Sequence, residues 1–403
     1  MAINIKNLEE RIQKKAHLVD SNTAVDDLTD MVEASLLLTG SLKTYADSSE
    51  LPTATGSNEK IGFIQDIKAI RFNNGKEWVT TASGEVQAPG GGGGGPSYVV
   101  QGSTYGWSQG GYPGPANYHN QIQRYAFASS DDAVDQGDLL SSQMHAASVG
   151  RTATSGLRIG GRSYPGTTYT DALTSYPFAS GSNVVASPGT LSAARAYGSH
   201  TPIQGDTDYA YVTNSGVSGV YSNEIFRVAT TLDASEADVG DLTITISYGA
   251  NSSSGTNGYT SGGYHWPPTA VYDVINKFPF AVTANATDIG NLTVARYDGV
   301  GASSTTHGYQ SGGINPSAKS NVIDKYAFAS DGDATDVGDL QQVIQGPGGS
   351  SGPTDGFVHG GLGDGSAYRQ NRIQKFSYSS DGNSTDLGDL VARSGDRPGS
   401  TEN

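Results

Sequence analysis

The chain of 403 residues contains no cysteine. Disulfide staples, thiolate metal sites and thiol nucleophiles are therefore excluded. Basic residues are also scarce: 24 Lys and Arg stand against 40 Asp and Glu, for a net charge of −16. The deficit runs the length of the chain, with 9 basic against 13 acidic residues in 1–96 and 15 against 27 in 97–403. A nucleic-acid binder neutralises phosphates with a basic face, so nucleic acid is not an expected partner. No apolar run approaches 18 residues, and none is expected to insert in a membrane. The N-terminal MAINIKNLEERIQKK has no apolar core of a secretory signal. Glutamate is nearly missing from 97–403, where only Glu224, Glu236 and Glu402 occur. A paired-carboxylate site there would have to rest on Asp, and no such pair stands out.

Glycine, by contrast, is abundant, with 55 residues, and proline adds 16. Together they stay below the roughly 25–30% that marks aperiodic disorder. Interior glycine costs a helix about 0.5–1 kcal/mol relative to alanine, so a largely helical chain is not expected. Helical periodicity is confined to the start. Ile5, Leu8, Ile12, Ala16 and Val19 form one apolar stripe, and Val25, Leu28, Val32 and Leu36 form a second, with Gly40 as a stop. Short helices of this kind are unstable alone. Little apolar sequence nearby could cover both stripes, so residues 1–48 read as docking or oligomerisation helices, with Ile5, Leu8, Ile12, Val25, Leu28, Val32 and Leu36 as the contact residues. Residues 49–87 change period. IGFIQDI (61–67), AIRF (69–72), the turn Asn73-Asn74-Gly75 and EWVTT (77–81) predict a small β-hairpin module with a buried Trp78. Residues 88–96, with six consecutive glycines between prolines, read as a linker.

From residue 97 the chain repeats itself. GYTSGG (258–263), GYQSGG (308–313) and GFVHGG (356–361) are each followed by a strand-like VINKFPF, VIDKYAF or RIQKFSY, then by a polar turn closing on TDIGNL, TDVGDL or TDLGDL. A first copy has GWSQGG (106–111) and VDQGDL (134–139), and a second has GLRIGG (156–161) and SPGTL (187–191). A third keeps EIFRV (224–228) and ADVGDL (237–242) but has lost its Gly-Gly. The closing glycines Gly137, Gly189, Gly240, Gly290, Gly338 and Gly388 set a period of about 50 residues, which is a kelch-type spacing. A four-stranded sheet of this size cannot bury both faces alone, whereas six packed around an axis can. The predicted fold is mainly β: a six-bladed kelch-like β-propeller over 97–403, preceded by a short helical N-terminus and a small β-hairpin module. The repeated rings Tyr259, Phe280, Tyr309, Phe328, Phe357 and Phe376 are expected to pack blade on blade. The mode of ring closure is open: Tyr98-Val99-Val100 could begin the first blade unaided, leaving the tail 396–403 as a free end or a latch.

The repeat at 308–313, 322–329 and 333–340 is similar to that of kelch-like repeat proteins encoded by marine cyanophages, which are virion components. LPTATGSNEKIGFIQDIKAIRFNNGKEWV at 51–79 also resembles such proteins. The resemblance implies a virion structural protein of tail-fibre or appendage type, assembled in the host cytoplasm and released by lysis, and not a reaction. A capsid decoration or head fibre is an alternative of the same kind. A non-viral kelch scaffold is another, but it would need an adaptor domain. Kelch-propeller copper oxidases use a Cys-linked Tyr radical, and without cysteine that chemistry is closed.

Catalytic motifs are weak. Gly348-Gly349-Ser350-Ser351-Gly352 matches G-x-S-x-G, but no helix follows to form a nucleophile elbow. The seven histidines (17, 119, 145, 200, 265, 307 and 359) show no metal-binding spacing. The Asp-rich turns at 130–138, 331–339 and 381–389 could offer hard oxygens to Ca²⁺, but they miss the EF-hand register and are better explained by Asx turns and side-chain-to-backbone bonds. No enzyme, cofactor or metal is expected. The expected recognition surface is the loop after each Gly-Gly, carrying Tyr112, Tyr118, Tyr164, Tyr169, Tyr264, Trp266, Tyr272 and Tyr368. Tyr and Trp offer rigid amphipathic contact area at low entropic cost. The expected partners are other virion proteins, further copies of the chain in a homotrimer, and a host cell-surface glycan.

Overall fold

The computed structural model describes residues 44–45, 61–64, 69–73 and 78–80, and residues 101–402 apart from 113–118, 147, 164–167, 180–184, 199–201, 204–207, 218–219, 232–235, 268, 365–368 and 394–396. The helical stripes of 1–48 and the linker 88–96 lie outside the described residues. The chain divides into two compact units, Met1–Ser97 and Tyr98–Asn403.

The first unit holds a four-stranded sheet in chain order: Thr44–Tyr45, Ile61–Ile64, Ala69–Asn73 and Trp78–Thr80. The first pair is parallel, and the rest are antiparallel. Asn73 pairs with Trp78, and the expected turn residues Asn74 and Gly75 lie outside the described residues. The Trp78 side chain lies outside the described side chains.

The second unit is a six-bladed β-propeller, and no helix occurs among its described residues. The fourth blade shows the pattern: Ala250–Ser253 innermost, then Asn257–His265, Ala270–Pro279 and Thr287–Asn291, each antiparallel to the next. The fifth and sixth blades repeat it, with Val300–Ser303 and Gly348–Ser351 innermost. The ring closes through the tail. Gly399–Glu402 is the innermost strand of the first blade and pairs with Tyr105–Gln109, with Thr401 opposite Trp107. The latch is thus the tail, and the first and last parts of the repeat array share one sheet.

Blade packing follows one rule around the ring. The ring after the first motif glycine meets the aromatic pair of the next blade. Tyr259 stacks on Phe328 at 4.7 Å, Tyr309 on Tyr378 at 5.1 Å, and Phe357 on Phe127 at 4.4 Å. The last of these joins blade six to blade one. Trp107 meets Tyr176 and Phe178, and Tyr211 meets Phe280 at 4.7 Å. Between the second and third blades aliphatic contact substitutes, with Leu157 and Ile159 clustered with Phe226 and Val228. Such aromatic pairs contribute about 0.5–1.5 kcal/mol beyond their area. The motif glycine makes room for them. A Cβ on Gly308 would lie 2.5 Å from the Tyr326 ring of the neighbouring strand.

The Asp-rich turns are structural ties. Within each turn an Asp carboxylate accepts from the glycine two residues on, as Gly338 N–H does to Asp336 at 3.1 Å and Gly388 N–H to Asp386 at 3.1 Å. Between blades, the closing residue donates its N–H to the next blade's side chain: Asp241 to Asn285, Asn291 to Asp333, Asp339 to Asn383 and Asp389 to Asp132. Lys277–Asp331 and Lys325–Asp381 ion pairs link the same turns at 2.5 Å.

The axis is filled by backbone. The innermost strands read ANSS, VGAS, GGSS and GSTE, and all of these residues are buried. A Cβ on Gly301 would sit 1.8 Å from the Asn251 carbonyl oxygen. Serine hydroxyls accept across the gaps, from Ser253 N–H to Ser303 and from Ser303 N–H to Ser351, both at 2.9 Å. Ser350, the serine of the G-x-S-x-G match, belongs to this layer and donates to the Thr401 carbonyl at 3.0 Å.

Candidate recognition face

In a four-stranded antiparallel blade, the loop between second and third strands and the loop leading to the next blade's inner strand emerge at the same end. At that end, six residues hold equivalent places in the six blades: His145, Tyr197, Tyr248, Asp298, Gly346 and Arg397. All six have positive φ, from 48° at Arg397 to 67° at Tyr197. Five backbone hydrogen bonds run between them around the axis. Arg397 N–H donates to Gly346, Gly346 to Asp298, Asp298 to Tyr248, Tyr248 to Tyr197, and His145 to Arg397, at 2.8–3.3 Å. A left-handed backbone is unfavourable for bulky residues such as Tyr and Arg, at a cost of order 1–3 kcal/mol each. Such strain persists only where surrounding structure over-determines it, and it gathers at functional sites.

The side chains of this ring form a polar knot beside an aromatic tract. Gly346 contributes no side chain, and its two neighbours meet over it. Arg397 grips the Asp298 carboxylate with Nε and Nη2, while Gln345 Nε2 donates to the same carboxylate at 2.8 Å. Arg397 Nη1 donates to His145 Nε2 at 3.0 Å, so that nitrogen is the acceptor and Nδ1 carries the proton. Burial and the Arg397 charge push the His145 pKa well below the usual imidazole range, so the ring is neutral at pH 7. The Arg397 guanidinium also lies over the Tyr248 ring, 4.5 Å from its centroid.

From this knot six half-buried tyrosines form a continuous arc. Tyr169 touches Tyr197 at 5.5 Å, Tyr197 touches Tyr248 at 5.3 Å, and Tyr248 touches Tyr297 at 6.3 Å. Tyr297 meets Tyr264 at 4.9 Å, and Tyr264 meets Tyr221 at 6.2 Å. The Tyr169 and Tyr197 hydroxyls are 3.0 Å apart. Burial pushes the Tyr197 hydroxyl up to about 12 and raises Tyr221 and Tyr297 as well, so these hydroxyls stay protonated at neutral pH. The arc therefore offers apolar ring faces together with hydroxyl donors and acceptors.

The loop aromatics expected from the sequence distribute unevenly. Tyr169 and Tyr264 are in the arc. Trp266 stands beyond Tyr264 and is 58% exposed. Tyr272 packs against the buried cluster containing Ile246 and Phe278. Tyr112 lies beneath the Arg369 guanidinium at 4.6 Å. Tyr118, Tyr164 and Tyr368 lie outside the described residues, as do Ile5, Leu8, Ile12, Val25, Leu28, Val32 and Leu36. Sequence reasoning missed Tyr197, Tyr221, Tyr248, Tyr297 and the His145–Asp298–Arg397 knot. A signal was there for the ring. His145, Tyr197, Tyr248, Asp298 and Gly346 each lie six residues after the closing Leu of a repeat, and Arg397 lies seven after it.

Three histidines outside the knot are accounted for locally. His359 is buried between the Tyr125 hydroxyl and Ser400, its pKa lowered by burial to about 3. His119 is lowered by burial to about 4. His307 bonds Thr306 at 2.8 Å. Among the described residues no group of three or more His, Asp or Glu side chains is arranged to hold a metal ion. No helix among them is long and apolar enough to cross a membrane. No protein-family model matches the chain. No curated protein is significantly similar to it.

Proposed function

We propose that the chain is a structural protein of a bacteriophage particle, a tail fibre or appendage that attaches through its N-terminal region and presents a kelch-like propeller to a host-surface glycan. The observation that carries the recognition role is the arc of six half-buried tyrosines at one end of a rigid ring. Rigid aromatic surfaces with hydroxyl tips suit the faces and hydroxyls of sugar rings. Tyr169, Tyr221 and Tyr264 belong to strands, and Tyr197, Tyr248 and Tyr297 are held by backbone bonds between segments, a preorganisation that lowers the ordering cost of binding.

The virion role rests on the resemblance of the repeat and of residues 51–79 to cyanophage structural proteins. Residues 1–48 serve as docking and trimerising helices in this reading. Three copies would turn weak single-site binding into useful avidity. The role is binding without catalysis.

Electron microscopy of purified particles with a gold-labelled C-terminal tag tests it. Label on the tail supports an appendage, label on the head replaces it with a capsid fibre, and absence of label rejects the virion role. Incubation with host polysaccharide should yield no new reducing ends. Their appearance would replace the binding role with a hydrolase.

A further inference from the structure

The turns leading into the outer strands carry Asp131, Asp132, Asp331, Asp333 and Asp381, at the end opposite the tyrosine arc. The arc end holds Arg162, Arg369, Arg393 and Arg397, with Lys319 paired to Asp364 and Arg397 to Asp298. Lys277 and Lys325 pair instead with aspartates of the opposite turns, so cations stand at both ends of the propeller.

Arg162 is the cation best placed to meet a ligand. It lies directly opposite Tyr169 in the second blade, and on its other side opposite Met144, the residue before His145. Directly opposed residues share one face of a sheet, so the guanidinium stands beside the hydrogen-bonded Tyr169–Tyr197 pair. Its charge acts on both the Tyr197 hydroxyl and the His145 ring. The side chain is half-buried, and its buried Nε has no hydrogen-bond partner. Arg393, at the same end, is exposed rather than half-buried. Arg397 is neutralised by Asp298, and Arg369 covers Tyr112.

We propose that the face binds an anionic saccharide, with sugar rings lying on Tyr169 and Tyr197 and a carboxylate or sulfate held by Arg162. The proposal rests on the glycan-recognition reading above and adds the charge class of the ligand. A guanidinium presents parallel donors that match a planar carboxylate, and a desolvated site strengthens the pairing.

Titration calorimetry of the full chain with oligogalacturonate, dextran sulfate oligomers and neutral dextran oligomers, each at low and high salt, tests it. The anionic probes should bind with salt-sensitive affinity, and the neutral probe should bind far more weakly. Which anionic probe binds tighter distinguishes carboxylate from sulfate. R162Q should weaken anionic binding roughly ten-fold or more, R162K should recover part of it, and Y197A should remove it. Thermal unfolding checks that each variant is folded, and the salt response of the unaltered chain needs no variant. Dextran binding as tightly as the anionic probes, or R162Q binding unchanged, overturns the charge assignment and leaves glycan recognition standing. Failure of all three saccharides to bind overturns both.

Discussion

Arg397 and Asp298 sit in blades one and five, yet they form a two-pronged ion pair across the glycine at position 346. The missing side chain of the intervening blade is what lets the pair form. The Asp298 carboxylate is wholly buried, and Arg397 comes from the segment that leads into the latch strand. The pair therefore ties ring closure to the end that carries the tyrosine arc.

Removal of one partner should be costly. R397M leaves a buried carboxylate without its counter-ion, and the expected loss is about 3–5 kcal/mol. Urea unfolding measures it. The double variant R397M/D298N should recover much of the loss, because neither charge is then buried alone.

The latch itself should govern cooperativity. Deletion of residues 399–403 strips the first blade of its innermost strand and leaves the Tyr105–Gln109 edge bare. Calorimetry should show the single transition of the intact propeller replaced by a broader one at lower temperature, and size-exclusion chromatography should show self-association through the open edge. An unchanged transition would mean that the tail contributes nothing to closure.

Glu402 lies in that latch, fully buried, and burial raises its carboxyl to about 7 despite the opposing charge of Arg151. An acid whose folded pKa is raised stabilises the fold fully below its unfolded value of 4.5. That contribution is lost as pH rises towards 7 and is absent above it. The size is about 3 kcal/mol at 1.36 kcal/mol per unit. His119 and His359, lowered to about 4 and 3, act in the opposite direction, costing stability as pH falls below 6.5. The difference between the parent and E402Q isolates the carboxyl. E402Q should gain relative stability between pH 4.5 and 7 and hold that gain at pH 8, as measured by chemical denaturation.

Asn214 replaces the first glycine of the Gly-Gly pair in the third blade. Its φ is 49°, against 63° at Gly262 and Gly312. Asn tolerates this left-handed region better than other residues with a side chain. The Asn214 amide also donates to Thr213 and Asn251. N214A should therefore cost about 1–2 kcal/mol through backbone strain and the lost bonds. N214G should cost less, because only the bonds are lost. Thermal melts of the two variants separate backbone strain from hydrogen bonding.

The ring of blades was legible because its causes are local and repeat. A glycine that faces a cross-strand ring, as Gly308 faces Tyr326, must recur wherever that ring recurs. An Asp that accepts from the N–H two residues on, as Asp336 does from Gly338, leaves the same short mark in most of the repeats. Even the third repeat keeps its blade, because Asn214 takes the left-handed place of the glycine.

The candidate recognition face was legible only in part. Tyr169 and Tyr264 announced themselves as aromatic residues in variable loops. Tyr197, Tyr248, Tyr297, His145 and Arg397 did not, because their meaning depends on the axis. Residues about 50 apart in the chain become neighbours only when the blades are arranged in a circle, and their backbone bonds exist only between blades. The amino-acid sequence by itself determined the period, the four-stranded unit and the rings that pack unit on unit, since each follows from contacts within one repeat or with the next. Tertiary structure alone decided how the circle closes and which side chains share its end. Closure joins residue 107 to residue 401, and no local pattern records a pairing across that length of chain.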